Sequence, residues 1–236
     1  MMTRAHFGAT SRGEDVSIFT LTNRAGACVK ALNYGCILQS LAVPDAHGNM
    51  VDVCLGFDSL EEYETRRGCF GAVVGRCANR VRHGEVPMGE RTVYLALNAR
   101  GVHHIHGGVR GFDKRVWRAE GEGNTLRFSL LSPDGEEGYP GTMAVTVTYT
   151  LTEDNALVIR YRAVSDADTI VNLTNHCYFN LNGHGSGSAM DHVLRLEADE
   201  ITENDSDGMS SGRFLPVEGR ILHCLFSSFR VGSKQE

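Results

Sequence analysis

Strict two-residue alternation is the dominant pattern of this chain. Between Val145 and Thr152 the apolar Val145, Val147, Tyr149 and Leu151 interleave with Thr146, Thr148, Thr150 and Thr152. Successive side chains of a strand point to opposite faces, so this stretch predicts a strand with one buried face. Glu153-Asp154-Asn155 supplies turn chemistry, after which Leu157, Ile159 and Tyr161 alternate with Val158, Arg160 and Arg162. The two runs predict a β-hairpin. Residues 27–32, 37–43, 91–97 and 125–130 read as further strands, and 169–173 is a β-prone run. Helix is scarce. Asp58 with Glu61 three residues on forms a capping box that opens a short segment through Tyr63 and Glu64. Pro44-Asp45, His47-Gly48-Asn49, Ser132-Pro133-Asp134-Gly135 and Tyr139-Pro140-Gly141 punctuate the strands. Many short strands, 27 glycines and little helix predict an all-β fold, an antiparallel sandwich or barrel. Sandwiches of 236 residues run as one domain, so 1–236 is read as a single unit.

Charge and composition narrow the chemistry. The 23 basic and 29 acidic side chains give a net charge of −6 without a basic cluster, so no nucleic-acid partner is expected. The seven cysteines are scattered with no Cys-x-x-Cys pair, which removes support for a zinc knuckle or a thioredoxin-like centre. Met1–Gly8 has no apolar signal core and no apolar run approaches membrane-spanning length. The expectation is a cytoplasmic protein with reduced thiols and no membrane partner.

Four stretches carry candidate chemistry. In Thr174-Asn175-His176-Cys177-Tyr178-Phe179-Asn180-Leu181 a histidine stands between two amides and beside aromatic rings. Aromatic faces cover a sugar's C–H surface, amides read hydroxyls, and an imidazole moves protons near neutral pH. Gly75-Arg76-Cys77-Ala78-Asn79-Arg80-Val81 reads either as a polar fork for hydroxyls or as a turn with solvated arginines. His103-His104-Ile105-His106-Gly107-Gly108 places His104 and His106 on one side of a strand. A metal pair there lacks a nearby carboxylate before Asp113, leaving a loop of hydrogen-bonding histidines as the simpler reading. Ser132-Pro133-Asp134-Gly135-Glu136-Glu137-Gly138 reads as a turn with a solvated acidic face. No Gly-x-Ser-x-Gly elbow supports acyl transfer.

Taken in order, these stretches resemble the galactose mutarotase (aldose 1-epimerase) family. The likeness rests on Gly75-Arg76, Ala78-Asn79-Arg80-Val81, His106-Gly107-Gly108, Ser132 to Gly141 and Asn175-His176, with Tyr178-Phe179-Asn180-Leu181 after them. Asn33-Tyr34-Gly35, Gly56-Phe57 and Gly212-Arg213-Phe214-Leu215-Pro216-Val217 extend it over residues 10–219. The resemblance implies a large antiparallel β-sandwich with an open sugar cleft, and interconversion of α and β anomers of free hexoses such as galactose and glucose. It implies neither metal nor nucleotide cofactor. Carried over by motif, His176 is the general acid at the ring oxygen, His106 hydrogen-bonds the same region, Asn79 and Arg80 hold hydroxyls, and Tyr178 packs nearby.

After Gly219 the residues cease to resemble the family. The family's sugar-binding aspartate, glutamine and proton-accepting glutamate belong to its C-terminal third, so that segment is expected to be absent and activity reduced. Two alternatives stay open, a sugar-binding module without chemistry and an epimerase of phosphorylated hexoses. The second would need phosphate-binding arginines, for which Arg66, Arg67 and Arg110 are candidates.

Overall fold

Two antiparallel meanders form the fold. In a computed structural model that describes residues 2–193, 198–217, 221–224 and 227–230, the first sheet runs in chain order through Met2–Ala9, Asp15–Thr22, Cys28–Leu32, Leu38–Pro44 and Met50–Asp52. The second runs through Arg118–Glu122, Thr125–Ser132, Met143–Leu151 and Leu157–Ser165. The alternation at 145–152 has its expected outcome. Val145, Val147, Tyr149 and Leu151 are buried, and Val147 pairs with Tyr161 and Tyr149 with Ile159 across the hairpin.

Inner faces of both sheets meet in one apolar cluster, which makes the fold a sandwich. Phe19, Leu21, Val29 and Ala31 of the first sheet pack with Leu126, Phe128, Val145 and Val147 of the second. Phe19 and Phe128 meet edge-on at 6.3 Å between ring centres, and Phe128 meets Tyr149 at 5.5 Å. Burial of each large side chain contributes roughly 1.5–3 kcal/mol. The outer face of the first sheet is covered too. Val16, Leu32, Tyr34, Ile37, Leu60 and Ala72 form a second cluster there, with Leu60 supplied by the helix Leu60–Thr65. That helix starts one residue later than the sequence predicts. Its N-cap is Ser59, whose hydroxyl accepts the Glu62 amide as an N-cap does and donates in turn to the Glu62 carboxylate.

The β-prone run at 169–173 is not a regular strand. Asn172 makes an isolated parallel bridge to Cys77, and pairing resumes at Thr174–Asn175, opposite Val73–Val74. Arg80–Val81 pairs with His104–Ile105. These two-residue ladders knit segments 71–81, 103–108 and 172–180 together beside the sandwich. The chain divides into two compact units, Met1–His184 and Gly185–Glu236. The second contains the hairpin of Glu200–Asn204 with Ser210–Pro216 and the pair Ile221–Cys224 with Ser227–Arg230. No helix among the described residues is long and apolar enough to cross a membrane.

Candidate functional site

Where the three knitted segments meet, two imidazoles face each other. The His106 and His176 rings stand perpendicular with centres 5.1 Å apart, and His176 lies 5.1 Å from Tyr178. Tyr178 continues to Phe70 at 4.8 Å and Phe70 to Phe57 at 5.2 Å, so the histidines open onto an aromatic ladder. His176 is fixed through its backbone. Its amide donates to Ala72 O at 2.8 Å and its carbonyl accepts from Gly71 N at 3.1 Å. Neither ring nitrogen of His176 has a hydrogen-bond partner among the described residues, so both remain open to a ligand.

His106 is held differently. Its Nδ1 accepts the Asn79 amide at 3.0 Å, while its own amide donates to Asn79 O at 3.1 Å. An accepting Nδ1 carries no proton, so the neutral ring bears its hydrogen on Nε2 and donates from there. Electrostatics agree. Burial, then the neighbouring His176 and Arg80 charges, lower the His106 pKa to about 4. Asn79 (φ 63°) and His106 (φ 52°) both adopt left-handed backbone, a conformation that costs a residue with a Cβ roughly 1 kcal/mol or more. The reciprocal Asn79–His106 bonds hold both in place. Asn79 Oδ1 caps the Arg80 amide at 2.9 Å, and the Arg80 side chain is exposed. The site thus brings together all five residues singled out in the sequence: Asn79, Arg80, His106, His176 and Tyr178.

Other sequence expectations resolve differently. The two amides flanking His176 hold the loop rather than face a ligand. Asn175 Nδ2 donates to Gly71 O at 2.8 Å and to the Tyr149 hydroxyl at 3.0 Å, and its Oδ1 accepts the Cys177 amide. Asn180 is buried, with its Oδ1 accepting from the Asn182 amide. Arg76 is neither a sugar fork nor solvated. It is 1% exposed and donates four hydrogen bonds of 2.8–3.0 Å, two to Ser132 and one each to the carbonyls of Pro133 and Pro140.

The acidic turn is likewise structural. Glu136 pairs with Arg115 and accepts from Ser132, and Glu137 accepts the amides of Val109 and Arg110 at 2.8 Å. Those two bonds brace the loop after His106. That loop needs its glycines: Gly107 has φ +86°, and a Cβ there would collide with the Gly75 carbonyl. His104 and His106 do not form a metal pair. His104 is fully buried, with Nδ1 on Ala96 O at 2.8 Å and Nε2 on the Tyr139 hydroxyl, so both nitrogens are taken. The left-handed backbone at His106 turns the chain out of the strand just where alternation would have aligned the two rings.

Beside His106 lies a cleft of about 340 Å³, lined also by Phe70, Cys69, Arg67, Asp113 and Lys114. Of the candidate phosphate-binding arginines, Arg66 pairs with Glu62 at 2.9 Å and lies over the Phe57 ring, and Arg110 meets Glu14 at 3.4 Å. Arg67 lines the cleft. Cys54 and Cys177 bring their sulfurs to 3.8 Å beneath the His176 loop. Phe70 was not singled out from sequence, because no periodicity or motif spacing marks it, and Asp113 and Glu137 were read there only as a distant carboxylate and part of a solvated acidic turn. Among the described residues no cluster of three His, Cys, Asp or Glu side chains has metal-holding geometry.

Comparison with known proteins gives this arrangement its family. Residues 17–230 match the family model described as aldose 1-epimerase. The chain is 46% identical over 191 residues to galactose mutarotase of Sus scrofa, covering 81% of this chain and 55% of that protein. It is 43% identical over 219 residues to galactose mutarotase of Homo sapiens, covering 92% and 63%. Among solved structures, galactose 1-epimerase from Lactobacillus acidophilus NCFM superposes with a TM-score of 0.80 at 34% identity, covering 93% of this chain and 64% of that one. The chain therefore belongs to the aldose 1-epimerase family. It spans about 55–63% of the length of these mammalian relatives.

Proposed function

We propose that the protein is an aldose 1-epimerase, interconverting the α and β anomers of free hexoses such as galactose and glucose. The observation that carries this reading is the perpendicular His106–His176 pair, one ring fixed as a neutral Nε2–H donor and the other with both nitrogens unengaged. His176 serves as the general acid. It gives a proton to the ring oxygen as the C1–O5 bond breaks, while the anomeric hydroxyl loses its proton to a base. The open-chain aldehyde rotates about C1–C2, and closure reverses both transfers. His106 donates to the sugar oxygen beside His176, Arg80 and Asn79 hold hydroxyls, and the aromatic faces of Tyr178 and Phe70 cover the C–H surface. The names of the relatives, galactose mutarotase and aldose 1-epimerase, support the same substrate class.

A second reading, sugar binding without turnover, draws on one observation. No described carboxylate lies within hydrogen-bond distance of either imidazole. Polarimetry on freshly dissolved α-galactose separates the two. Relaxation faster than the spontaneous rate, returned to baseline by His176→Ala, is the expected result. Binding of galactose in a calorimeter without acceleration selects the second reading, and absence of binding to galactose and glucose overturns both. We place the protein in the cytoplasm, where two thiols in contact such as Cys54 and Cys177 stay reduced.

A further inference from the structure

The cleft beside His106 contains a carboxyl that the roles assigned above leave unused. Asp113 sits in the short turn Phe112–Lys114, is 8% exposed, and lines the same cleft as His106 and Phe70. A carboxylate offers about four acceptor positions, and one this deeply buried ordinarily meets two or three strong donors. Here, among the described residues, it accepts from the Cys69 thiol, a weak donor, at 3.6 Å and from its own backbone amide. The nearby cations are engaged elsewhere or reach no partner. Lys114 Nζ donates to Val109 O at 2.8 Å, Arg66 pairs with Glu62, and Arg67 forms no ion pair among the described residues. Burial raises the Asp113 pKa, and the charges of Lys114 and His176 oppose that rise, so the carboxyl lies within electrostatic reach of the proposed acid. A largely buried carboxyl served by one weak thiol donor and its own amide, and lining a space of about 340 Å³, keeps acceptor positions for a ligand hydroxyl.

We propose that Asp113 is a further sugar-binding residue, its carboxyl accepting an O–H from the bound aldose in the cleft next to His106. The proposal rests on the sugar-site reading above and adds to it a specificity determinant for one hydroxyl. A carboxyl that merely supports the fold would carry stability without distinguishing one hydroxyl from another. A carboxylate–hydroxyl bond is worth about tenfold in affinity or more.

Calorimetric or NMR titration of the protein and Asp113→Asn with galactose and its 2-, 3-, 4- and 6-deoxy analogues tests this. The isosteric variant keeps the shape and removes the charge. The protein as it stands should bind galactose about tenfold more tightly than one of the deoxy analogues. Asp113→Asn should lose about that factor for galactose and nothing for that one analogue. Urea unfolding of both forms shows whether a lost affinity is merely lost folding. Equal discrimination across the series in both forms overturns the assignment of Asp113 while leaving the sugar site intact. If the unsubstituted protein binds none of these sugars, the sugar-site reading itself falls.

Discussion

Replacing Arg76 distinguishes an anchor from a ligand contact. The guanidinium is 1% exposed and spans two strand ends, donating to Ser132 Oγ, Ser132 O, Pro133 O and Pro140 O. Arg76→Met fills much of the volume with no donor. Ser132 is fully buried, so its carbonyl and hydroxyl cannot turn to water, and each unserved group costs about 1–3 kcal/mol. Pro133 is exposed and Pro140 half-buried, so water recovers part of their loss. The expected destabilisation is about 3–5 kcal/mol, a large share of the roughly 5–15 kcal/mol that holds a domain folded. Arg76→Lys keeps the charge but not the planar fork, and should fall between the two at about 2 kcal/mol. Urea titration followed by tryptophan fluorescence measures both, since Trp117 is buried in the same core. A Met variant within about 1 kcal/mol of the original that nonetheless fails to bind galactose would refute the anchoring role.

Two further outcomes follow from a buried and a half-buried histidine. Tyr139→Phe removes the hydroxyl that serves His104 Nε2 in a fully buried site, and should cost about 1–3 kcal/mol in urea with little effect on sugar affinity. His106 gives a pH signature. Its folded pKa of about 4 lies below the ordinary 6.5, so the unfolded chain takes up a proton in that window and the native one does not. Stability therefore falls as pH drops from about 6.5 towards about 4. Urea midpoints measured across that range should decline more steeply for the original protein than for His106→Gln, and parallel curves would contradict the assigned shift.

Much of the sandwich was legible in the chain because alternation is a direct image of a half-buried sheet. Val145 to Leu151 fixed a face, and the pairing of Val147 with Tyr161 follows from it. The helix was legible to within one residue, since Asp58 and Ser59 are both capping residues and only the observed Ser59–Glu62 bonds separate them. The site was legible as residue types in order, but the division of labour within it was not. Asn175 and Asn180 have the composition of hydroxyl readers, yet Gly71 O and the Tyr149 hydroxyl claim the first and the Asn182 amide of its own loop bonds the second. Arg76 and Arg80 look alike four positions apart, while one is buried and the other exposed. Two-residue ladders such as Val73–Val74 with Thr174–Asn175 have no period to detect. The acidic turn looked solvated because nothing local reveals that Arg115, Val109 and Arg110 approach it from elsewhere in the chain.

The meeting of segments 71–81, 103–108 and 172–180 has a consequence for biosynthesis. Cys77 bridges Asn172 and Gly71 bonds His176, residues about a hundred positions apart, so a ribosome must release the chain past position 180 before the imidazoles can meet. Pairings so distant along the polypeptide close slowly. The nascent protein therefore has its first meander complete in sequence well before the two imidazoles can face each other.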